Sequence, residues 1–385
     1  MKASSKQILT VVIPTYNMEK YLRRCLDSLI VSDQQMQMLE VLVINDGSKD
    51  TSSQIAHEYQ DRYPQTFRVI DKENGNYGSC VNRGLKEATG KYIKVLDADD
   101  WFDNANFRTY LDTVKDLDVD LVLNDRVTVN PEGKITMNDN APFPKNKVFN
   151  FFPSHTGLAM HRVCYKTENL RNIGYRQTEG ISYTDTQWVF YPMTTVKTSW
   201  YVPLTIYNYL VGREGQTMNP KVRKKSLSQH FVIFDGMIST YMNGDYPDDV
   251  KEWMKSTIFS LMNIIYKETI MKFRDEKNAP LIEFDNRLKE NYKEFYEESS
   301  EKLVISKKLK YKYVKEWRAT GKINTFSIQY LMFKLYQALK PTAKQLILSV
   351  SNPLKHNQLT TNGGGYNTLV VTMLPILTEE RRMAA

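Results

Sequence analysis

The sequence has few cysteines and no long apolar run. Cys25, Cys80 and Cys164 show neither paired spacing nor a CxxC pattern, which favours buried thiols in a reducing compartment over a disulfide framework. No uncharged apolar stretch reaches about 18 residues, so no segment is predicted to span a membrane. Residues 1–7 lead directly into a strand-like run instead of a signal peptide. We therefore expect a cytoplasmic protein.

Two glycine-rich phosphate-binding patterns are also missing. The chain contains no GxxxxGK[ST] sequence, and no GxGxxG follows its first predicted strand. These absences argue against a P-loop and against the usual dinucleotide-binding loop. A nucleotide, if the protein binds one, must be held in another way.

The composition is that of an ordinary globular protein. Of the 385 residues, 41% are hydrophobic and 25% are charged, so a stable core is expected, with room for two domains. The net charge of +8 is unevenly spread: residues 301–344 hold 11 Lys and Arg against 2 Asp and Glu, or +9, which leaves −1 for the remainder. The region 301–344 is therefore basic, whereas the rest of the chain is close to neutral.

Strand-like and helix-like segments alternate over the first third of the chain. The apolar, β-branched runs 8–13, 41–44, 67–70, 92–96 and 119–123 are predicted strands, and helical apolar spacing lies between them. This alternation indicates an α/β fold with a mostly parallel sheet covered by helices on both faces. Ligands of such sheets bind at the carboxyl ends of the strands.

Polar residues follow four of these strands and are expected to share one rim of the sheet. They are Pro14-Thr15-Tyr16-Asn17, Asn45-Asp46-Gly47-Ser48, Asn74-Gly75-Asn76-Tyr77-Gly78 and Asp97-Ala98-Asp99-Asp100. This rim is therefore the predicted ligand site.

Three carboxylates, Asp97, Asp99 and Asp100, crowd this rim. Asp also favours turns and helix N-caps, which is the simpler explanation for an isolated DxD pattern. Like charges at a sheet rim repel one another, however, unless a cation lies between them. Mg²⁺ or Mn²⁺ shared between the carboxylates and substrate phosphates would relieve the repulsion and would neutralise a departing diphosphate.

Asp46 and Gly75 each allow two interpretations. The segment 45–48 is either a turn leading into a helix or a place where the Asp46 carboxylate accepts a hydrogen bond from a nucleobase imide, which would select uracil over cytosine. The glycine loop at 74–78 is either a plain strand–helix connection or part of a nucleotide site.

Past residue 150 the pattern changes. Residues 182–193 are predicted to be a helix and 202–210 a strand, and from about residue 221 the chain is predicted to be helical, with apolar stripes along 250–265 and 284–295. We expect an α/β domain with the ligand site at 1–220, a helical domain with a basic face at 221–355, and a poorly ordered tail at 356–385.

Four motifs together resemble family 2 glycosyltransferases. In chain order they are 11–17 (VVIPTYN), 43–48 (VINDGS), 82–85 (NRGL) and 92–100 (YIKVLDADD). The resemblance covers roughly residues 8 to 215 and points to the bacterial cell-surface polysaccharide type. It implies a GT-A fold, which is Rossmann-like, a sugar-nucleotide donor such as a UDP-sugar, Mn²⁺ or Mg²⁺, and inversion at the anomeric carbon of a hexosyl or N-acetylhexosaminyl group.

The resemblance also assigns site residues. Thr15 and Asp46 would contact the nucleoside, Asp97 the ribose or the metal, and Asp99 the metal itself. The other residues expected at the donor are Pro14, Tyr16, Asn17, Gly75, Asn82 and Ala98.

An inverting transfer needs a general base on the acceptor hydroxyl. In the family this carboxylate usually closes a Glu-Asp pair at the start of a helix, and here Thr184-Asp185 stands in that place. Asp185 is therefore the expected catalytic base. The alternative is that Thr184 and Gln187 form a capping box and that Asp185 favours the helix dipole.

Arg213 and two histidines are weaker candidates. Arg213 lies in a segment resembling the one that closes over the donor in relatives, where it could pair with the diphosphate, although it could equally be a surface residue. His155 and His161 flank the presumed acceptor side. A histidine completes the metal shell in some GT-A enzymes, but a structural role is the simpler expectation for both.

The basic region at 301–344 allows several interpretations of what it contacts. It could be a solvated helix face, a contact with an anionic inner membrane leaflet at about 1 kcal/mol per Lys or Arg, a site for an acidic acceptor, or a surface for homo-oligomers. No nucleic-acid-binding module is recognisable, so nucleic acid is not expected. The acceptor is expected to be a glycan, a lipid-linked sugar or a surface polymer.

Two other functions compete with glycosyl transfer. A sugar-phosphate nucleotidyltransferase normally carries a glycine-rich and basic loop after its first strand, where this chain has residues 14–17. A non-catalytic nucleotide- or carbohydrate-binding module would have no need of the intact Asp97-Ala98-Asp99 together with Asp185.

Overall fold

The computed structural model describes residues 7–140, 142–150, 158–213, 215–216, 223–224, 226–275, 277–304, 311–323 and 330–331. The chain forms two compact units that divide between Met254 and Lys255. This division lies later in the chain than residue 220, and the functional domain limits at 220 and 355 stay predictions. The expected tail at 356–385 lies outside the described residues.

The first unit is built on a mixed β-sheet with ten strands among the described residues. The strands are β1 (Leu9–Thr15), β2 (Leu39–Asn45), β3 (Phe67–Asp71), β4 (Tyr92–Val95), β5 (Trp101–Phe102), β6 (Leu121–Val129), β7 (Ile135–Asp139), β8 (Val148–Phe149), β9 (Val163–Lys166) and β10 (Ser199–Leu210). Their order is β3-β2-β1-β4-β9-β6-β10-β5, with β7 beside β6 and β8 beside β10. From β3 to β4 the neighbours are parallel, as predicted, whereas β9 is antiparallel to both β4 and β6.

Helices connect these strands and continue beyond them. They are α1 (Glu19–Asp27), α2 (Asp33–Met36), α3 (Ser52–Arg62), α4 (Asn76–Glu87), α5 (Asn104–Val114), α6 (Thr167–Asn172), α7 (Asp185–Met193), α8 (Gln229–Asn243), α9 (Asp248–Tyr266), α10 (Ala279–Asn291), α11 (Lys293–Lys302) and α12 (Tyr313–Thr320). The predicted stripe from Phe284 to Phe295 divides into α10 and α11, because Tyr292 has non-helical dihedrals of −137° and 55°. None of the described helices has the length and apolar character needed to cross a bilayer.

Both faces of β1 are buried, because alternate residues of a strand point to opposite sides of the sheet. Leu9, Val11 and Ile13 belong to one apolar core together with residues of α1, α3 and α5. Val12 points the other way, and α4 packs there so closely that a Cβ on Gly84 would lie 2.3 Å from Val12 Cγ1. Each such buried aliphatic side chain contributes about 1.5–3 kcal/mol. The predicted α/β fold with helices on both faces is confirmed.

Candidate active site

A cavity of about 790 Å³ opens where β1, β2 and β4 end, within the first unit. Most of the predicted site residues line it. These are Pro14, Thr15, Tyr16, Asn17, Asp46, Asp97, Ala98, Asp99, Asp185 and Arg213. Parallel neighbouring strands place their carboxyl ends at one edge, so residues far apart in the sequence meet there.

Asp46 follows β2 and is buried in the cavity wall. Lys72 Nζ lies 2.5 Å from Asp46 Oδ1, and the Gly75 N–H donates to the same oxygen at 3.0 Å. Gly75 itself is not among the described residues that line the cavity, so it acts on the site through its backbone. Because these donors all use Oδ1, Oδ2 is the oxygen that a ligand would engage.

Asp97 follows β4 and accepts a 2.7 Å hydrogen bond at Oδ1 from the Tyr77 hydroxyl. Burial, together with the charges of Asp99 and Asp185, raises the pKa of Asp97 to about 8. Burial and the surrounding negative charges therefore disfavour the ionised form of this carboxyl. A bound cation would favour that form.

Asp99 forms an ion pair with Arg213, between Oδ2 and Nε. Both residues line the cavity, and the Arg213 guanidinium also lies 5.3 Å from the centroid of the Tyr21 ring. Arg213, the residue expected to pair with the diphosphate, thus contacts Asp99, a residue expected to bind the metal.

Asp100, the third carboxylate of the rim, is fully buried. Its Oδ2 accepts from the Tyr207 hydroxyl at 2.7 Å and its Oδ1 accepts from the Leu210 N–H at 2.7 Å. Both donors belong to β10, so Asp100 fastens that strand to the rim. Its oxygens are taken by protein donors, which makes it the least available of the three for a ligand.

The residues present fit a hard divalent cation. Oxygens of Asp97 and Asp100 and a ring nitrogen of His161 lie within 4.8 Å of one another, and carboxylate oxygens are the ligands that Mg²⁺ and Mn²⁺ prefer. The pKa of Asp97 is raised by burial and by the nearby charges of Asp99 and Asp185, and a cation would offset both causes. Asp99 lies outside this cluster and β10 holds Asp100, so the assignment of the ion to Asp97 and Asp99 stays a prediction.

Asp185 begins α7, and its side chain is exposed where it lines the cavity. Desolvation by the surrounding protein raises the pKa of Asp185, which makes its carboxylate a stronger base. Two residues earlier, Tyr183 has a φ of 63°. A bulky residue in the left-handed region is rare and costs about 1–3 kcal/mol, which marks this helix start as a constrained segment.

The capping box considered from the sequence does not form. Thr184 Oγ1 donates to Gln177 Oε1 at 3.0 Å. Gln187 Nε2 donates to Thr178 Oγ1, and Gln187 Oε1 accepts from the Thr178 N–H, each at 2.9 Å. Both side chains therefore hold the loop before α7, because its polar groups offer closer partners than the helix end.

Asn82 also holds this loop. From α4 it donates to the Gln177 carbonyl at 3.0 Å and accepts from the Gln177 N–H at 2.8 Å. Asn82 is outside the set of described residues that line the cavity. Its contact with the donor stays a prediction, whereas its contact with the loop before Asp185 is direct.

Two side chains that hold site carboxylates had no predicted role, although Tyr77 belongs to the glycine loop at 74–78. Tyr77 binds Asp97, and Lys72 binds Asp46. A signal existed for both, since they follow β3, a strand whose carboxyl end lies beside the site. His161 lines the cavity, whereas His155 and residues 305–310 of the basic region lie outside the described residues.

Comparisons with known proteins agree with this geometry. Residues 10–174 match the model of glycosyl transferase family 2. The uncharacterized glycosyltransferase MG025 of Mycoplasma genitalium is 40% identical over 106 residues, which are 27% of this chain and 35% of that protein. The hyaluronan synthase of Pasteurella multocida is 27% identical over 301 residues, which are 73% of this chain and 29% of that protein. The chain thus spans about a third of the length of these curated relatives.

The fold has solved counterparts. The crystal structure of S. aureus TarS 1–349 in complex with UDP-GlcNAc has a TM-score of 0.54 at 20% identity, covering 84% of this chain and 94% of that one. The predicted GT-A fold is confirmed. Residues 10–174 are therefore similar to family 2 glycosyltransferases, as the motifs indicate.

Proposed function

We propose that this protein is an inverting, metal-dependent glycosyltransferase that moves a sugar from a UDP-sugar to a hydroxyl group of a glycan. The observation that carries the proposal is the meeting of Asp46, Asp97, Asp99 and Asp185 in one cavity. These four carboxylates divide into a nucleoside contact, a metal pair and a base, which are the parts that the reaction needs.

Donor binding uses the inner wall of the cavity. Asp46 Oδ2 would accept the imide N–H of uracil, since Lys72 and Gly75 hold Oδ1. Thr15 lies beside Asp46 in the sheet, because the Asp46 N–H donates to the Thr15 carbonyl at 2.8 Å. Arg213 would exchange part of its pairing with Asp99 for the diphosphate, whose oxygens suit its forked donors.

Asp185 supplies the base. The acceptor oxygen attacks the anomeric carbon while the bond from that carbon to the diphosphate oxygen breaks. The acceptor proton passes to Asp185, and the bonding electron pair leaves with UDP. One base with no protein nucleophile gives inversion. Mn²⁺ or Mg²⁺, held by Asp97 and Asp99, would offset the charge that develops on the leaving diphosphate.

The relatives suggest a first choice of substrates. TarS was solved with UDP-GlcNAc, and the Pasteurella relative is a hyaluronan synthase. We therefore put forward an N-acetylhexosamine donor and an acceptor that is a glycan, lipid-linked or surface polymer. Contact of the region 301–344 with an anionic membrane would suit such an acceptor, because 11 of its residues are Lys or Arg.

The test combines binding with turnover. The full chain is mixed with UDP-GlcNAc, UDP-glucose or UDP-galactose, with and without Mn²⁺, and the thermal midpoint and UDP release are measured. We expect metal-dependent stabilisation of about 2.7 kcal/mol at a donor concentration a hundredfold above Kd, with slow UDP release. Asp99→Asn should lose both effects.

Each rival gives a different result. A nucleotidyltransferase would release pyrophosphate from UTP and a sugar phosphate, and a binding module would be stabilised without releasing UDP. Absence of both stabilisation and UDP release with every donor would contradict the proposal.

A further inference from the structure

A buried ionic network lies behind the cavity wall. Asp139 Oδ2 pairs with Arg126 Nε at 2.8 Å, and Asp139 Oδ1 pairs with Arg162 Nη1 at 2.8 Å. The three side chains are buried, at 9%, 2% and 3% exposure for Arg126, Asp139 and Arg162. Buried charges are tolerated only when their partners are well placed, so Asp139 holds the Arg126 guanidinium in one orientation.

That orientation presents a donor to a histidine of the cavity. Arg126 Nη1 lies 2.8 Å from His161 Nδ1. A guanidinium has donors and no acceptor, so His161 Nδ1 must accept this hydrogen bond. A neutral imidazole has one accepting and one protonated nitrogen, and the proton therefore lies on Nε2.

The protonated nitrogen points to the cavity. His161 Nε2 lies 3.9 Å from Asp97 Oδ2, and the rings of Tyr207 and Tyr209 hold the imidazole at centroid distances of 4.7 and 4.4 Å. A nitrogen that carries a proton has no lone pair for a cation. Closeness to Asp97 and Asp100 therefore does not make His161 a metal ligand.

We propose that Arg126 is a positioning residue that fixes His161 as an N–H donor, and that His161 hydrogen-bonds an oxygen of the bound sugar nucleotide instead of coordinating the metal. That oxygen belongs to the diphosphate or to a sugar hydroxyl. The ligand contact rests on the proposed function, whereas the tautomer does not.

The tautomer is measured first, in the full chain without ligand. Long-range proton–nitrogen correlation spectra of isotope-labelled histidine distinguish the two tautomers, and the chain has only 5 histidines. His161→Gln assigns the signal. We expect a neutral ring protonated at Nε2. A ring protonated at Nδ1, or at both nitrogens, overturns the proposal whether or not the protein proves to be a glycosyltransferase.

Two substitutions at residue 126 test the positioning. Arg126→Lys keeps a group that can only donate, so Nε2 should stay protonated. Arg126→Gln offers an amide oxygen that can accept from Nδ1–H, so we expect a population with the proton on Nδ1. Unchanged spectra in folded Arg126→Gln would remove the positioning role of Arg126.

The metal is tested with Mn²⁺ and UDP. We expect no nitrogen hyperfine coupling from histidine in the electron spin-echo spectrum of bound Mn²⁺, and less than a twofold change of Mn²⁺ Kd in His161→Gln. Nitrogen coupling that is present in wild type and disappears in His161→Gln would contradict the donor role. A fall of Mn²⁺ affinity by roughly 10- to 100-fold in His161→Gln would also contradict it, because losses of that size follow the removal of groups that support a metal site. Failure of wild-type protein to bind Mn²⁺ counts against the proposed function and leaves the tautomer result standing.

The nucleotide contact is tested by comparing UDP with UDP-GlcNAc. His161→Phe keeps a flat ring but removes the N–H. About tenfold weaker binding of both ligands indicates a diphosphate contact, since one hydrogen bond contributes about 0.5–1.5 kcal/mol. Weaker binding of UDP-GlcNAc alone indicates a sugar hydroxyl, and unchanged binding of both removes the contact.

Discussion

The Tyr77 hydroxyl donates a 2.7 Å hydrogen bond to Asp97 Oδ1, and this bond joins α4 to the end of β4. It supports the ionised form of a carboxyl whose pKa is raised, mainly by burial, to about 8. The other oxygen, Asp97 Oδ2, lies 3.9 Å from Nε2 of the cavity residue His161. Tyr77 therefore orients a proposed metal ligand without needing to touch the metal itself.

Tyr77→Phe should weaken the metal site more than the fold. Loss of the hydroxyl removes a donor that favours the Asp97 carboxylate, so we expect Mn²⁺ affinity in the presence of UDP to fall about 10- to 100-fold. Isothermal titration with Mn²⁺ measures this change.

A matched control removes a hydroxyl that lies away from the cavity. The Tyr92 hydroxyl accepts from the Val119 N–H at 3.0 Å, so Tyr92→Phe should cost about 0.5–1.5 kcal/mol of stability without changing Mn²⁺ affinity. Equal Mn²⁺ affinities in Tyr77→Phe and wild type would show that the Tyr77 bond is only structural.

Asp46→Asn should weaken the preference for uracil over cytosine. An Asn side chain can present either an acceptor or a donor, so it tolerates the unprotonated ring nitrogen of cytosine. We expect the Kd of UDP to rise about tenfold or more, because a hydrogen bond to a charged group contributes about 1.5–3 kcal/mol. The Kd of CDP should change less, which narrows the UDP-to-CDP preference.

Asp50→Asn is the control for this prediction. Asp50 also lines the cavity, but its oxygens accept from the Glu19 and Ser52 N–H groups at 3.1 and 3.0 Å. Its substitution should leave the preference for UDP over CDP unchanged. If Asp46→Asn still preferred UDP over CDP as strongly as wild type, another residue would have to select the nucleobase.

The rim was predictable because its signals are local. Strands such as β2 and β4 appear as apolar runs, and the rule that ligands bind at strand ends then selects Asp46 and Asp97. Their partners were not predictable to the same degree. The pairing of Arg213 with Asp99 joins the segment after β10 to the segment between β4 and β5, and no local periodicity encodes that β10 pairs with β5.

Lys94 shows the same limit inside a strand. This charged residue lies within an apolar run and is fully buried. Its Nζ donates to Asn124 Oδ1 and to the carbonyls of His161 and Val163. Burial lowers the pKa of Lys94 to about 7. A buried Lys needs several acceptors, and these come from segments that only the folded sheet brings together.

Asp185→Asn should retain donor binding but reduce turnover about 100-fold or more, since Asn cannot accept the acceptor proton. In the wild type the base must be ionised, so kcat should rise with pH as Asp185 loses its proton. Because desolvation by the surrounding protein raises the pKa of Asp185, this rise should lie above the ordinary Asp value of about 3.9. Steady-state rates at a series of pH values measure both effects.

Asp103→Asn provides the comparison. Asp103 also stands at a helix start, where it accepts from the Asn106 N–H at 2.9 Å, and it does not belong to the described residues that line the cavity. We expect little change in stability, because Asn caps a helix about as well as Asp does, and normal kcat. If Asp185→Asn kept near-normal turnover, another group would have to be the base.

Thr184→Glu would restore the Glu-Asp pair common in the family, yet it should destabilise this protein. Thr184 is fully buried, and its hydroxyl donates to the neutral side chain of Gln177. A glutamate at this position would therefore bury a negative charge beside a neutral partner. We expect a loss of at least about 2 kcal/mol in urea unfolding. Thr186→Glu, in the first turn of the same helix, should stay within about 0.5 kcal/mol of wild type because a negative charge suits a helix start. Unchanged stability with faster turnover in Thr184→Glu would mean that the loop at Gln177 can rearrange to accept the glutamate.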